Sequence, residues 1–214
     1  MNSQTDKRLI AGPAGLIEVA IDTPPSSFEG RLRGMALVCH PNPTQGGTMD
    51  NKVVQTLARA FVQLGYRAVR FNFRGIGKSE GGWDAGQGEV DDALAVLGAV
   101  RDSGENFVLA GFSFGAFVTS QAARRLREGP LADQAERVVL VGPATSRFDT
   151  APVPADTLVV HGEVDDVVPL SSVLDWARPQ SLPVVVVPGV GHFFHGQLPL
   201  LKSIIVSNWQ TLQV

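Results

Sequence analysis

The feature that most constrains the fold is a series of short segments whose interior residues are almost all apolar. Four such segments follow one another in the second half of the chain, at 107–111, 137–142, 157–162 and 183–188. A strand that is apolar on both faces must be covered on both faces, and a mostly parallel sheet flanked by helices provides that cover. The sequence therefore predicts an α/β fold with helices on both faces of a mostly parallel sheet.

The rest of the chain continues this alternation, because apolar residues between the strands recur with the spacing of one helix face. The sequence adds strands at 16–21, 34–40 and 67–73, the first as an antiparallel edge strand, and helices at 51–64, 89–100, 114–127, 170–177 and 198–213. Asp50 is the expected N-cap of the first helix, since its short side chain can accept from a free backbone N–H. No repeat or long linker divides the chain, so residues 1–214 are expected to form one domain.

Charge and composition exclude several classes of partner. The chain has 18 Lys and Arg against 21 Asp and Glu, a net charge of −3, so we expect no nucleic-acid partner. No apolar run approaches the roughly 18 residues of a membrane-spanning helix, and no targeting signal opens the chain. The single cysteine, Cys39, permits no internal disulfide. We expect a cytoplasmic protein that acts on a small neutral or weakly charged molecule; the sequence does not indicate its oligomeric state.

The strongest local motif is Gly-Phe-Ser-Phe-Gly at residues 111–115. It joins a buried strand to a helix, the context in which G-x-S-x-G presents a nucleophile on a sharp turn. A side chain at Gly111 or Gly115 is predicted to collide with neighbouring backbone. The turn places Ser113 at a helix N-terminus, where unpaired N–H groups stabilise an oxyanion. The alternative is an ordinary serine in a glycine-flanked loop.

A serine nucleophile needs a histidine base, and the base needs a carboxylate that orients it. His192 lies in a glycine-rich loop directly after the last strand, which favours it over His195. Asp165 is preferred as the acid because it lies three residues beyond Gly162, the glycine that ends the preceding strand. The alternatives for the acid are Asp166, which could instead cap a local turn, Glu163 and Asp149.

Two backbone N–H groups are expected to hold the oxyanion that forms on the substrate. Phe114, directly after Ser113, would supply one of them. The loop after the strand at 34–40 reads His-Pro-Asn-Pro, and prolines carry no N–H. Within this tetrapeptide, Asn42 is therefore the residue beyond His40 that can donate the other. A plain proline turn is the alternative interpretation.

In their order along the chain, these segments resemble the α/β-hydrolase superfamily. The resemblance is carried by HPNP at 40–43, RGIGKS at 74–79, GFSFG at 111–115, HGEVDD at 161–166 and GVGHFF at 189–194. The stretch GGTMDNKVV at 46–54 is similar to a small bacterial group of these hydrolases that has no lid domain.

This resemblance implies an eight-stranded sheet, and it implies roles for particular residues. The implied triad is Ser113, Asp165 and His192, and the implied oxyanion donors are Asn42 and Phe114. Only about fifteen residues separate the strands at 137–142 and 157–162, which is too few for a lid domain, so the site is expected to be open.

From these residues we expect a serine hydrolase that cleaves carboxylic esters with small or exposed acyl groups through an acyl-enzyme. A thioesterase, or an amidase or peptidase, would use the same triad, and a non-catalytic binding protein is the alternative from another class. No cofactor or metal is expected: GIGKS at 75–79 lacks the first glycine of a phosphate-binding loop, and His192 and His195 lack a third ligand. Cys39, inside an apolar strand, is expected to belong to the core.

Overall fold

The computed structural model describes residues 5–28, 31–129 and 133–210. The strands are β1 (Thr5–Gly12), β2 (Gly15–Asp22), β3 (Gly34–Cys39), β4 (Tyr66–Phe71), β5 (Phe107–Phe112), β6 (Arg137–Val141), β7 (Leu158–Gly162) and β8 (Val184–Val187). Within the described residues they form one eight-stranded sheet in the order β1-β2-β4-β3-β5-β6-β7-β8. The predicted α/β fold and strand number are confirmed.

In the order of the sheet, each pair of neighbours from β4 through β3, β5, β6 and β7 to β8 is parallel. Strand β2 pairs antiparallel with both β1 and β4. The predicted strand at 16–21 is β2, and its antiparallel pairing is confirmed. The prediction that β2 is the edge strand is wrong, because β1 forms a hairpin with it and takes the edge. Most β1 residues are exposed, and the strand is held by its pairing with β2 and by Ile10, which packs against the core.

In the described parts of the chain, five α-helices cover the two faces of the sheet. They are α1 (Lys52–Gln63), α2 (Gln87–Val100), α3 (Phe114–Glu128), α4 (Leu170–Ala177) and α5 (Leu198–Gln210). Helices α1 and α5 pack on one face, and α2, α3 and α4 pack on the other, so two apolar cores lie on either side of the sheet. The last predicted helix extends to residue 213, of which 211–213 lie outside the described residues. None of the described helices has both the length and the apolar character to cross a membrane.

The first helix begins differently from the prediction. Its N-cap is Asn51, whose Oδ1 accepts from the Val53 N–H at 2.9 Å. Asp50 instead accepts a hydrogen bond from the guanidinium of Arg70 at 3.0 Å. Arg70 is almost fully buried and also binds Asp22, so this cation draws Asp50 away from the helix end and connects β4, β2 and the start of α1.

Candidate active site

The turn between β5 and α3 holds Ser113 in a strained conformation, with φ of 58° and ψ of −118°. Gly111 and Gly115, two residues to either side of Ser113, lie too close to neighbouring backbone to carry a side chain. A Cβ on Gly111 would lie 2.2 Å from the carbonyl oxygen of Gly115, and one on Gly115 would lie 2.3 Å from that of Cys39. The predicted collisions are confirmed. The Ser113 N–H donates to the carbonyl of Val141 at 2.9 Å, which ties the turn to the end of β6.

The structure brings Ser113, His192 and Asp165 together at the carboxyl edge of the sheet. His192 Nε2 lies 2.9 Å from Ser113 Oγ, and His192 Nδ1 lies 2.6 Å from Asp165 Oδ2. All three side chains are buried. The serine follows β5, and the acid and the histidine follow β7 and β8, which pair with each other and are separated from β5 by β6 alone. An ionised Asp165 fixes the proton on Nδ1, which leaves Nε2 free to accept from the hydroxyl.

Hydrogen bonds keep Asp165 ionised despite its burial. Burial raises its pKa, but hydrogen bonds from His192 and from the Val168 N–H lower it, and the net pKa lies below the ordinary value. Asp165 Oδ1 accepts from the N–H groups of Val167 and Val168 at 2.9 and 2.7 Å. Both oxygens therefore have partners, and the carboxylate is fixed in its orientation toward the histidine.

The residues weighed as alternatives lie outside the hydrogen-bonded series of Ser113, His192 and Asp165. Asp166 is exposed, Glu163 accepts from the Gly189 N–H, and Asp149 is an exposed residue whose carbonyl accepts from Gln121. His195 is exposed, and its ring contacts that of Phe193.

A second histidine, His161, contacts the carboxylate of Asp165. Its Nε2 lies 3.5 Å from Asp165 Oδ2 and 3.0 Å from the carbonyl of Val168, to which it donates. Burial lowers the pKa of His161, although the nearby Asp165 opposes this. A neutral His161 with its proton on Nε2 leaves Nδ1 buried and without a partner among the described residues. His161 therefore helps to hold the loop that carries Asp165. Because it is neutral, it does not compete with His192 for the charge of that carboxylate.

The two expected oxyanion donors both have free N–H groups. Among the described residues, neither the N–H of Asn42 nor that of Phe114 has an acceptor. His40 fixes the backbone that presents the Asn42 N–H. Its Nδ1 donates to the carbonyl of Pro41 at 2.7 Å, and its Nε2 accepts from the Phe73 N–H at 3.1 Å. Burial lowers the pKa of His40 to about 4, so the ring is neutral and can both donate and accept.

These groups open into a cleft of about 350 Å³. Asn42, Gln45, Asn51, Ser113, Arg147, Asp166, Val167, His192 and Phe193 are among its lining residues. Most of these side chains are polar, and the loop between β6 and β7 places no helix over them. The cleft is open to solvent, as expected for a chain without a lid.

Cys39 belongs to the core, as predicted, and burial raises the pKa of its thiol to about 12, so it stays protonated. No group of three or more His, Cys, Asp and Glu side chains in the described parts of the chain is arranged to hold a metal ion.

Sequence reasoning named Ser113, His192 and Asp165, but it assigned no role to His40, His161 or Arg147. His40 is the last residue of one predicted strand and His161 the last but one of another, and that position is the signal that could have found them. Arg147 stands alone in a loop without a pattern around it, so no sequence signal points to its place in the cleft.

Comparison with known proteins gives related sequences and structures. Residues 44–155 match the model of a hydrolase family described as serine aminopeptidase, S33. An α/β serine hydrolase without a lid from Xanthomonas campestris is 36% identical with a TM-score of 0.88, over 99% of this chain and 96% of its own. An α/β serine hydrolase homologue from Coxiella burnetii is 40% identical with a TM-score of 0.79, over 95% and 96%. An uncharacterized protein of Rickettsia prowazekii is 32% identical over 193 residues, 78% of this chain and 79% of its own.

The fold, the serine turn and these relatives define an α/β serine hydrolase without a lid. The chain belongs to the family described as serine aminopeptidase, S33, whose model includes Ser113 and ends before Asp165 and His192. Membership identifies the class of hydrolase, and the substrate has to be inferred from the cleft.

Proposed function

We propose that this chain hydrolyses carboxylic esters, with Ser113 as nucleophile, His192 as general base and Asp165 as the acid that orients the base. The observation that carries the proposal is the unbroken series of hydrogen bonds from Asp165 through His192 to Ser113, 2.6 and 2.9 Å long. A general base must lie within hydrogen-bond distance of the proton it removes, and this pair meets that condition.

The reaction has two halves. Neutral His192 takes the hydroxyl proton through Nε2 while Ser113 Oγ attacks the ester carbonyl, and the imidazolium then protonates the departing alcohol as the C–O bond breaks. Water next gives a proton to His192 and attacks the acyl-enzyme, which releases the acid and restores the hydroxyl. Only a neutral imidazole can act as the base in both halves.

The N–H groups of Asn42 and Phe114 are the proposed oxyanion donors. Phe114 is the first residue of α3, so the helix N-terminus adds its dipole to this N–H. His40 and the flanking prolines hold Asn42 in an extended conformation before the reaction starts. Donors fixed in advance need no reorganisation as charge develops on the carbonyl oxygen.

The open cleft favours small or exposed acyl groups over long chains that need an enclosed tunnel. A peptidase acting on amides is the second candidate, and the family description supports it. Rates on an ester, a thioester and an amide with the same acyl group distinguish the candidates. The proposal expects the ester to be cleaved fastest by kcat/KM, whereas a faster amide would establish the peptidase instead.

Labelling with a fluorophosphonate probe, followed by peptide mapping, tests the nucleophile. The expected result is one label on Ser113, absent from Ser113→Ala and strongly reduced in His192→Ala. His195→Ala is the matched control, because His195 is exposed and lies three residues beyond His192, and it should label like the native chain. An unlabelled native protein would replace the proposal with a binding protein on the hydrolase fold.

A further inference from the structure

The cleft beside Ser113 contains one cation and one anion that do not pair with each other. Arg147, in the loop after β6, and Asp166, in the loop after β7, both line it and are both exposed. Among the residues that the structure describes, neither side chain forms an ion pair or a hydrogen bond. Arg70 and Arg74, by contrast, both bind carboxylates. The Arg147 guanidinium is thus available to a ligand in the cleft.

Two neutral side chains of the cleft add further donors. Oδ1 of Asn42 accepts from the N–H and the hydroxyl of Thr44, and Oδ1 of Asn51 accepts from the N–H of Val53. Because these oxygens already have partners, the NH₂ groups are what the two amides can offer to a ligand. Together with Arg147, they give the cleft a set of donors that suits oxygen acceptors.

We propose that the ester substrate carries a carboxylate and that Arg147 binds it, an inference that rests on the proposed esterase function and narrows its substrate class. The guanidinium presents two parallel N–H groups in the spacing of a carboxylate's two oxygens. Asp166 repels anions from the same cleft, and it repels a dianion such as a phosphate monoester more strongly than a singly charged carboxylate. The balance of Arg147 and Asp166 therefore favours one negative charge.

Two kinds of ester carry such a group. A half-ester of a dicarboxylic acid has the carboxylate in its acyl chain, and an ester of a hydroxy acid has it on the departing alcohol. The acyl pair for the test is the mono(4-nitrophenyl) ester of adipic acid and 4-nitrophenyl adipamate. The leaving-group pair is 4-acetoxybenzoate and 4-acetoxybenzamide. Within each pair a carboxylate replaces a carboxamide of nearly the same shape, so the ratio of kcat/KM values measures the contribution of the charge.

The native enzyme is expected to prefer the carboxylate in at least one pair, and that pair identifies the end of the substrate that Arg147 binds. Arg147→Ala should lower the charged-to-neutral ratio about tenfold, as expected for a partly exposed charge-assisted hydrogen bond. Arg147→Lys should restore part of the ratio, and Asp166→Asn should raise it. Added salt should lower the native ratio, because the charges are exposed.

Arg59→Ala is the control variant, since Arg59 is exposed on α1 and its side chain bonds only Gln55 among the described residues. Its ratios should equal those of the native enzyme. A ratio that Arg147→Ala leaves unchanged in both pairs would overturn the carboxylate site while the esterase function stands. If fluorophosphonate does not label Ser113 and none of the four esters is cleaved, both proposals fail.

Discussion

At the scale of single residues, buried histidines position the proposed catalytic groups without reacting themselves. His40 connects the Pro41 carbonyl to the Phe73 N–H and so fixes the backbone that presents Asn42. His161 lies 3.5 Å from Asp165 Oδ2, the oxygen that also bonds His192 Nδ1. Each histidine is neutral because burial lowers its pKa. The site therefore has its geometry before substrate arrives.

The Asn42 N–H can be removed without changing the shape of the loop, because the φ of Asn42 is −53° and its ψ is 118°, values that proline also adopts. Asn42→Pro should lower kcat by a hundredfold or more, about 3 kcal/mol, as expected when one oxyanion donor is lost. Asn42→Ala is the control: it keeps the N–H and loses the side chain, with its bonds to Thr44 and its NH₂ group in the cleft. Equal losses of kcat in the two variants would contradict a role for this N–H.

A residue of the site can be predicted from the sequence only where the residues around it form a recognisable pattern. Ser113 stands between a buried strand and a helix, so its turn was predictable from the residues on either side. The choice of Asp165 over Asp166 depends on the N–H groups of Val167 and Val168, whose direction no pattern encodes. Arg147 was not predictable, because its importance comes from loops that meet only when the sheet forms.

At the scale of elements, the N-terminus of α3 approaches β3 so closely that position 115 has no room for a side chain. The backbone of Gly115 packs against the carbonyls of Cys39 and His40 at the end of β3. This contact joins the turn that carries Ser113 to the loop that carries Asn42, because Cys39 and His40 directly precede that loop. The edge strand β1 shows the opposite case: it is mostly exposed, and for that reason its sequence lacks the alternation that reveals strands.

Two glycines in helices give a matched pair of variants. Gly115→Ala should destabilise the fold and sharply reduce activity, since its Cβ would lie 2.3 Å from backbone that cannot move aside cheaply. Gly98→Ala, in α2, meets no atom within 4 Å and should stabilise the protein by about 0.5 to 1 kcal/mol. Urea unfolding and kcat measure both effects. A Gly115→Ala protein as stable and active as the native one would show that the close approach is not needed.

At the scale of the whole molecule, one sheet with a helical layer on each face places every proposed site residue at a single edge. Parallel strands end at the same side, so loops distant in sequence meet there. The strand and helix pattern was sufficient to predict this architecture, since fully apolar strands require two covered faces. The same burial encloses ionisable groups, and those groups make the stability of the fold depend on pH.

Acid should destabilise the native protein in a defined range. Burial lowers the pKa of His40 to about 4 from its ordinary 6.5. Between these values the unfolded chain binds a proton that the folded chain does not, so the free energy of unfolding falls as pH falls. The loss from this group is on the order of 3 kcal/mol by pH 4. His161 adds a loss of the same sign.

Urea unfolding at pH 7 and pH 4 measures this dependence. His40→Asn is the control, because an amide can still donate and accept but does not titrate. The variant should be less stable at pH 7 and should lose less on going to pH 4 than the native chain. Equal losses in the two proteins would assign the acid sensitivity to other groups.

The loop between β6 and β7 has a consequence for how such a hydrolase can diversify. It borders the cleft, carries Arg147, and contributes no side chain to the bonds that join Ser113, His192 and Asp165. Residues inserted there would build a roof over the nucleophile, and replacement of the arginine would alter which molecules are retained. Entry and selectivity can therefore be redesigned in one segment while the reactive groups keep their positions.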